Sequence, residues 1–288
     1  MATTVPAGFN LLKSNLEITG LQKSTVSQRQ QNVRDAVAKD LSVLNSFVTG
    51  SYARYTMIAP LKEADIDIFV VLDPSYFNNY TPASLLDKVR TTLIKTYPKT
   101  PKISRNGQAV TITFTDFLVD VVPSFYRNGG GYLIPDSIGG RWIATDPTVH
   151  QSHMTQANSL HYGNLVPLVK MIKGWNRCIS SAFYGFYLEL MVKSILDGVR
   201  ISDYPSGVRY VFDKGREKVK YKMIDPAGLN DEQVGGLNYV STVEDAQSRF
   251  QTAYNRAVKA EQYAMQGYTY NAFAEWRKIF GGYFPAHG

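Results

Sequence analysis

Residues 50–72, GSYARYTMIAPLKEADIDIFVVL, decide the fold class. The second half, residues 66–72 (IDIFVVL), is apolar and β-branched and reads as a buried strand, which Asp73-Pro74 ends. Asp65 and Asp67 stand at its start. Residues i and i+2 of a strand face the same side, so these carboxylates point together. Side by side they repel, and burying them is costly unless a cation compensates. A hard divalent ion such as Mg²⁺ takes carboxylate oxygens together with substrate phosphates. The first half opens on Gly50-Ser51, where a glycine lets backbone N–H groups approach phosphate oxygens and the serine hydroxyl adds a donor.

A third carboxylate completes a two-metal site, and residues 115–123, TDFLVDVVP, offer Asp116 and Asp120. Asp120 sits among Val119, Val121 and Val122, in a run otherwise suited to burial, and a metal is sufficient reason for an acid there. Asp116 reads as a turn residue between strands at 109–115 and 117–122, the second ended by Pro123. A lone Gly-Ser or Asp-x-Asp is common, and a turn plus a solvated strand end would explain either. The ordered set of helix, Gly-Ser, Asp-hydrophobic-Asp on a strand and a later strand acid is much rarer.

Further out, residues 24–45 read as an amphipathic helix on Val26, Val33, Val37, Leu41 and Leu44, capped by Ser24 or Thr25. Residues 84–96 form a second helix through Leu85, Leu86, Val89 and Leu93. Residues 128–147, rich in Gly and Pro, read as a long loop. Beyond it the spacing predicts helices over 159–178, over 181–197, from 243 onward, and around Trp276 and Phe280, with 201–240 irregular. Ser241 to Glu244 resembles a capping box. The order predicts an α+β fold: a catalytic core over 1–147 and a helical lobe over 148–288, with the active site in the cleft between them.

The net charge of +7 and the pI of about 9.2 suit anionic ligands, but no run of consecutive Lys and Arg marks a nucleic-acid tail. Cys178 is the only cysteine, which excludes an intramolecular disulfide; it reads as a small core residue rather than a nucleophile. No stretch has transmembrane length and residues 1–10 lack signal-peptide regions, so a soluble, cytoplasmic protein with no membrane partner is expected. His150 and His153 lack the further ligands of a structural zinc site and read as polar helix-entry residues.

Residues 50–72 resemble the nucleotidyltransferase pattern of the polymerase-β-like superfamily, and within it the CD-NTases, bacterial relatives of cGAS and oligoadenylate synthetase. VDVVPSF (119–125) resembles the family's third-acid strand, LVKMIKGWN (168–176) its helix with Lys two residues before Trp, and YLEL (187–190) the next helix. IDPAGLN (224–230) and WRKIFGGYFP (276–285) resemble its C-terminal segments. The resemblance implies a palm-like sheet with a helical lobe and NTP substrates. It implies two Mg²⁺ (or Mn²⁺) ions, and a cyclic di- or trinucleotide signal of the CBASS anti-phage type that a separate effector protein reads. Asp65 and Asp67 would bind both metals and the donor triphosphate, and Asp120 would complete the metal site nearer the incoming hydroxyl. Gly50 and Ser51 would hold donor phosphates, and Lys173 matches the lysine that contacts the triphosphate; a solvated helix face is its other reading, and Lys170 is a weaker candidate. Asn158 is placed near the acceptor base, against an ordinary helix-start role. Tyr184 and Phe186 either stack a base or pack in a helix core. The terminal Gly288 is compatible with a conjugating partner, and no motif identifies a regulatory one. Two alternatives stay open: an RNA-tailing or small-molecule- or protein-modifying nucleotidyltransferase, and a catalytically silent sensor on the same fold.

Overall fold

Thr19 and Gln22 cap each other reciprocally, the Thr19 hydroxyl accepting from the Gln22 N–H and the Gln22 carboxamide from the Thr19 N–H. This box starts the first helix of the sheet-bearing half. The computed structural model describes residues 2–229, 233–239 and 242–288. The order begins α1 (Val5–Asn15), α2 (Gly20–Ala38), β1 (Val43–Val48), α3 (Gly50–Ala53), β2 (Asp65–Leu72), α4 (Pro74–Asn79) and α5 (Pro82–Thr96). Next come β3 (Lys102–Asn106), β4 (Ala109–Thr113), β5 (Leu118–Tyr126), β6 (Tyr132–Asp136) and β7 (Arg141–Thr145). Helices α6 (Pro147–Leu160), α7 (Leu165–Cys178), α8 (Gly185–Leu196) and α9 (Tyr204–Lys218) follow. The short pair β8 (Met223–Ile224) and β9 (Gln233–Val234) precedes α10 (Val243–Met265) and α11 (Thr269–Phe280).

The chain divides into two compact units, one of Ile18–His153 with Pro226–Glu232, the other of Met1–Glu17, Met154–Asp225 and Gln233–Gly288. The first holds a seven-stranded sheet in the order β1-β2-β5-β4-β3, with β6 on β5 and β7 on β6. Only β2 and β5 among these pairs run parallel. One face of the sheet carries Ile66, Ile68, Val110, Ile112, Val119 and Val121, all fully buried with Val26, Val33 and Val37 of α2 and Leu85, Leu86 and Leu93 of α5. The other face carries Asp65 and Asp67 at one end; further along, Phe69 and Val122 close on Ala109 and Ile134. The alternation of the pleat thus separates a dry core from an acidic face.

The second unit is helical. Trp175, Phe183, Phe212 and Phe250 pack ring against ring with centroids 4.7–6.4 Å apart. Phe9 of α1 meets Trp276 edge-on at 4.8 Å. One face of α10 joins this core: Ala246, Phe250, Ala253, Ala257 and Ala260 are buried, while Val243 and Ala264 at its ends are only partly so.

Several sequence expectations are corrected. The helix expected over 24–45 starts at Gly20 and ends at Ala38; Leu44 lies on the strand β1 and is exposed. Pro123 does not end its strand: β5 runs to Tyr126, because pairing with β4 stops at Val121 and pairing with β6 starts at Phe125, so that edge needs no N–H at Pro123. The loop expected over 128–147 contains the β6–β7 hairpin. The helix expected over 159–178 is two helices, parted at Tyr162 and Gly163, both with positive φ. The region 201–240 holds α9. Ser241 and Asn230 lie outside the described residues; the hydroxyl of Thr242 accepts from the Asp245 N–H and caps α10. Neither α1 nor β3 was foreseen.

Candidate active site

The parallel pairing of β2 with β5 sets Asp67 opposite Asp120 and Asp65 opposite Leu118. Asp65, Asp67 and Asp120 can each offer one carboxylate oxygen within 4.8 Å of the others. Asp65 is exposed and the other two are partly buried. Behind them, the Thr49 N–H donates to the Asp67 carbonyl at 2.9 Å and ties the end of β1 to β2. Gly50 follows with φ +65, and a Cβ built there would lie 1.7 Å from Asp67 Oδ2. A side chain at position 50 would therefore displace the carboxylate as well as strain the backbone. Next to it the Ser51 carbonyl accepts from the Thr56 and Met57 N–H groups at 2.9 and 3.0 Å, folding the following loop over the fully buried Thr56.

Asp120 accepts from the Thr111 hydroxyl at 2.5 Å. Burial pushes the Asp120 carboxyl pKa up, the Thr111 bond opposes the rise, and the Asp65 charge adds to it. Three clustered carboxylates, one desolvated, form a hard oxygen donor set that can bind a metal ion. Asp116 is the turn residue expected: its side chain accepts from the Phe117 N–H at 3.1 Å and pairs with Arg29 at 2.8 Å.

The profile of the family called Second Messenger Oligonucleotide or Dinucleotide Synthetase domain matches residues 3–158, more than half of the chain. The chain belongs to this family. It is a CD-NTase, and hence a nucleotidyltransferase. A protein of Acinetobacter sp. named cyclic AMP-AMP-AMP synthase is 28% identical over 301 aligned positions, which cover 98% of this chain and 86% of that protein. Among solved structures, Escherichia coli CdnC with ATP matches 98% of this chain and 99% of its own at a TM-score of 0.69 and 18% identity. Vibrio cholerae DncV, a cyclic AMP-GMP synthase solved with the linear intermediate pppA(3′,5′)pG, matches 84% of this chain and 70% of its own at 0.71 and 14%. These structural likenesses show the polymerase-β-like fold.

In the helical unit of this CD-NTase, Lys173 does not lie on a solvated face. Its ammonium is 3.0 Å from Glu189 of α8, a residue with no exposed surface, while the lysine side chain is only 13% exposed. Lys170 is likewise buried and pairs with Glu17 at 2.7 Å. Asn158 Oδ1 accepts from the Val166 N–H at 2.9 Å in the first turn of α7, a helix-start contact. Tyr184 precedes α8 and is half exposed, so its ring is not in the helix core; Phe186 is partly buried. Cys178, expected in the core, ends α7 and is exposed. His150 and His153 sit in the first two turns of α6, outside the acidic cluster.

Two residues of the CD-NTase escaped sequence reading. Thr111 could be found only through the β4–β5 register, which sets it opposite Asp120. Glu189 had a signal: a lone acid in the apolar run YLELMV needs a buried partner.

Proposed function

We propose that this CD-NTase joins NTPs into a cyclic di- or trinucleotide second messenger with release of pyrophosphate, in CBASS anti-phage signalling. The observation that carries the reading is the row of Asp65, Asp67 and Asp120 on neighbouring parallel strands, against a turn that only glycine fits. In each transfer a ribose hydroxyl gives up its proton to solvent and its oxygen forms a new ester bond to the α-phosphorus of a 5′-triphosphate, that of an NTP or, in ring closure, that of the linear intermediate itself. The α–β phosphoanhydride bond breaks and pyrophosphate leaves. Asp65 and Asp67 would hold two Mg²⁺ (or Mn²⁺) ions, and Asp120 would complete the set on the side of the attacking hydroxyl. Bound ions would neutralise charge on the phosphoryl oxygens, the main need of phosphoryl transfer.

Gly50 and Ser51 would face the donor phosphates with backbone N–H groups and a hydroxyl. Lys173 would contact the triphosphate as a point charge already oriented by Glu189. Tyr184, with a half-exposed ring, would stack a base, and Asn158 would meet the acceptor base edge beside its own contact to α7. The Acinetobacter relative is named cyclic AMP-AMP-AMP synthase, which supports looking for a ring of three adenylates among the products. A separate effector would read the product. Escherichia coli CdnC was solved in complex with a HORMA protein, which supports a regulatory protein partner. Among the described residues no helix is long and apolar enough to cross a membrane; the proposed site of action is the cytoplasm.

The test is incubation of the protein with all four NTPs and Mg²⁺ or Mn²⁺, followed by mass spectrometry. Asp65→Asn/Asp67→Asn serves as the control. A cyclic product from the wild type alone establishes the reaction and its bases. Linear chains from the wild type would move the assignment to an RNA-tailing enzyme. Cyclic product from a well-folded double variant would defeat the metal assignment.

A further inference from the structure

Asp120 has an in-register neighbour on each side of its strand. Parallel pairing sets Asp67 of β2 opposite it, and antiparallel pairing sets Thr111 of β4 opposite it. In-register residues of adjacent strands share a face, so Asp67, Asp120 and Thr111 form one row across the sheet. Thr111 is 8% exposed. Its hydroxyl has a single proton to donate, and that proton goes to Asp120 Oδ1 at 2.5 Å. This is the short end of the range for a hydroxyl donating to a carboxylate. The donor is also held firmly: Thr is stiff at χ1, and its neighbours Val110 and Ile112 are fully buried on the opposite face.

We infer that Thr111 is a positioning residue for the third acid: by holding Asp120 Oδ1 toward β4, it turns the other carboxylate oxygen toward Asp65 and Asp67. The inference rests on the reading of the three acids as a metal site. A carboxylate flanked by a second acid on one side would otherwise rotate to minimise repulsion. The hydroxyl on the other side supplies a fixed reason not to. A threonine present only to fill a strand would be replaced without effect by valine, which has nearly the same shape and suits a strand as well.

The test uses the full chain and Mn²⁺ alone, with free Mn²⁺ followed by electron paramagnetic resonance and fold by thermal melting. Thr111→Val is expected to lose about 10- to 100-fold in Mn²⁺ affinity, the usual effect of removing a hydrogen-bond partner of a metal ligand. Thr111→Ser, which keeps the hydroxyl, is expected to restore it. Should Thr111→Val not fold, Thr111→Ser and Thr111→Ala make the same comparison, since both lack the methyl and differ only in the hydroxyl. Equal Mn²⁺ affinity with and without the hydroxyl, where Asp65→Asn/Asp67→Asn abolishes binding, overturns the role of Thr111 alone. Wild type and Asp65→Asn/Asp67→Asn binding Mn²⁺ equally would overturn the metal site itself.

Discussion

The β2–β5 acid row and the α7–α8 pair are both charged and partly buried, but they balance differently. Lys173 and Glu189 neutralise each other at 3.0 Å, within one unit of the chain. Asp65, Asp67 and Asp120 gather like charges within 4.8 Å, and the hydrogen bond shown at Asp120 comes from a neutral hydroxyl. A balanced buried pair holds its lysine in a fixed orientation. A cluster of like charges gains from an ion of opposite sign, and three carboxylates suit a cation.

The widest separation between the two regions comes from removing charge in each. Asp65→Asn/Asp67→Asn is expected to take product formation below detection, while the melting temperature in EDTA stays level or rises, because repulsion is relieved. A clear loss of stability in EDTA would make the acids structural and break the comparison. The pair should respond in the opposite sense. Glu189→Ala strands a buried ammonium and is expected to destabilise the fold by about 3–5 kcal/mol. Lys173→Met/Glu189→Met, which removes both charges of the ion pair, is expected to recover much of the stability lost in Glu189→Ala. Urea unfolding of the two variants checks both. A double variant as unstable as the single one would show that Glu189 matters through other contacts.

The acid row was legible in the sequence because it rests on local rules. Asp65 and Asp67 are two apart on a strand whose run of β-branched residues is unmistakable, and Asp120 interrupts another such run. What was missed depends on partners distant in sequence. Leu41 and Leu44 continue the helical spacing of α2, and β1 is only partly buried, so its residues gave no strand alternation. α9 was hidden by its glycines. A Cβ at Gly207 would lie 2.6 Å from Leu168, and one at Gly215 would lie 2.5 Å from Phe250. These glycines admit close neighbours, and in isolation they read as breakers. The β6–β7 hairpin was masked the same way by Gly129, Gly130, Gly131, Pro135, Gly139 and Gly140. For Lys173 the spacing placed the lysine correctly on a helix but could not show Glu189 beneath it.

Gly50 sharpens the contrast on the side of the acids. Gly50→Ala needs a strained backbone at φ +65 and a Cβ in the space of the Asp67 carboxylate. Misplacing a catalytic group by about 1 Å lowers rate roughly 100-fold, and that is the expected drop in synthesis. Left-handed backbone adds about 1–2 kcal/mol of destabilisation. Steady-state kinetics beside thermal melting separates the two effects. Synthesis falling only in proportion to the folded fraction would mean that Asp67 tolerates displacement and that the turn matters for folding alone.

The smallest effect expected is one of pH, and it concerns Asp120. Burial, with the Asp65 charge adding, raises its carboxyl pKa above the ordinary 3.8, against the opposing Thr111 bond. The folded protein therefore holds that proton more tightly than the unfolded chain. Its contribution to stability is fully present below 3.8 and is lost as pH rises through the folded value. In EDTA, the stability of the wild type relative to Asp120→Asn should accordingly fall across that window and level off above it. Adding Mn²⁺ should reverse the slope. The ion binds the carboxylate and expels the proton, so its affinity rises with pH through the same window. Urea unfolding at stepped pH, with EDTA and with Mn²⁺, reads both slopes. A wild type and Asp120→Asn that run parallel in EDTA would show Asp120 to be solvated like an ordinary surface acid, and the acid row would then differ from the buried Lys173–Glu189 pair in solvation as well as in charge balance.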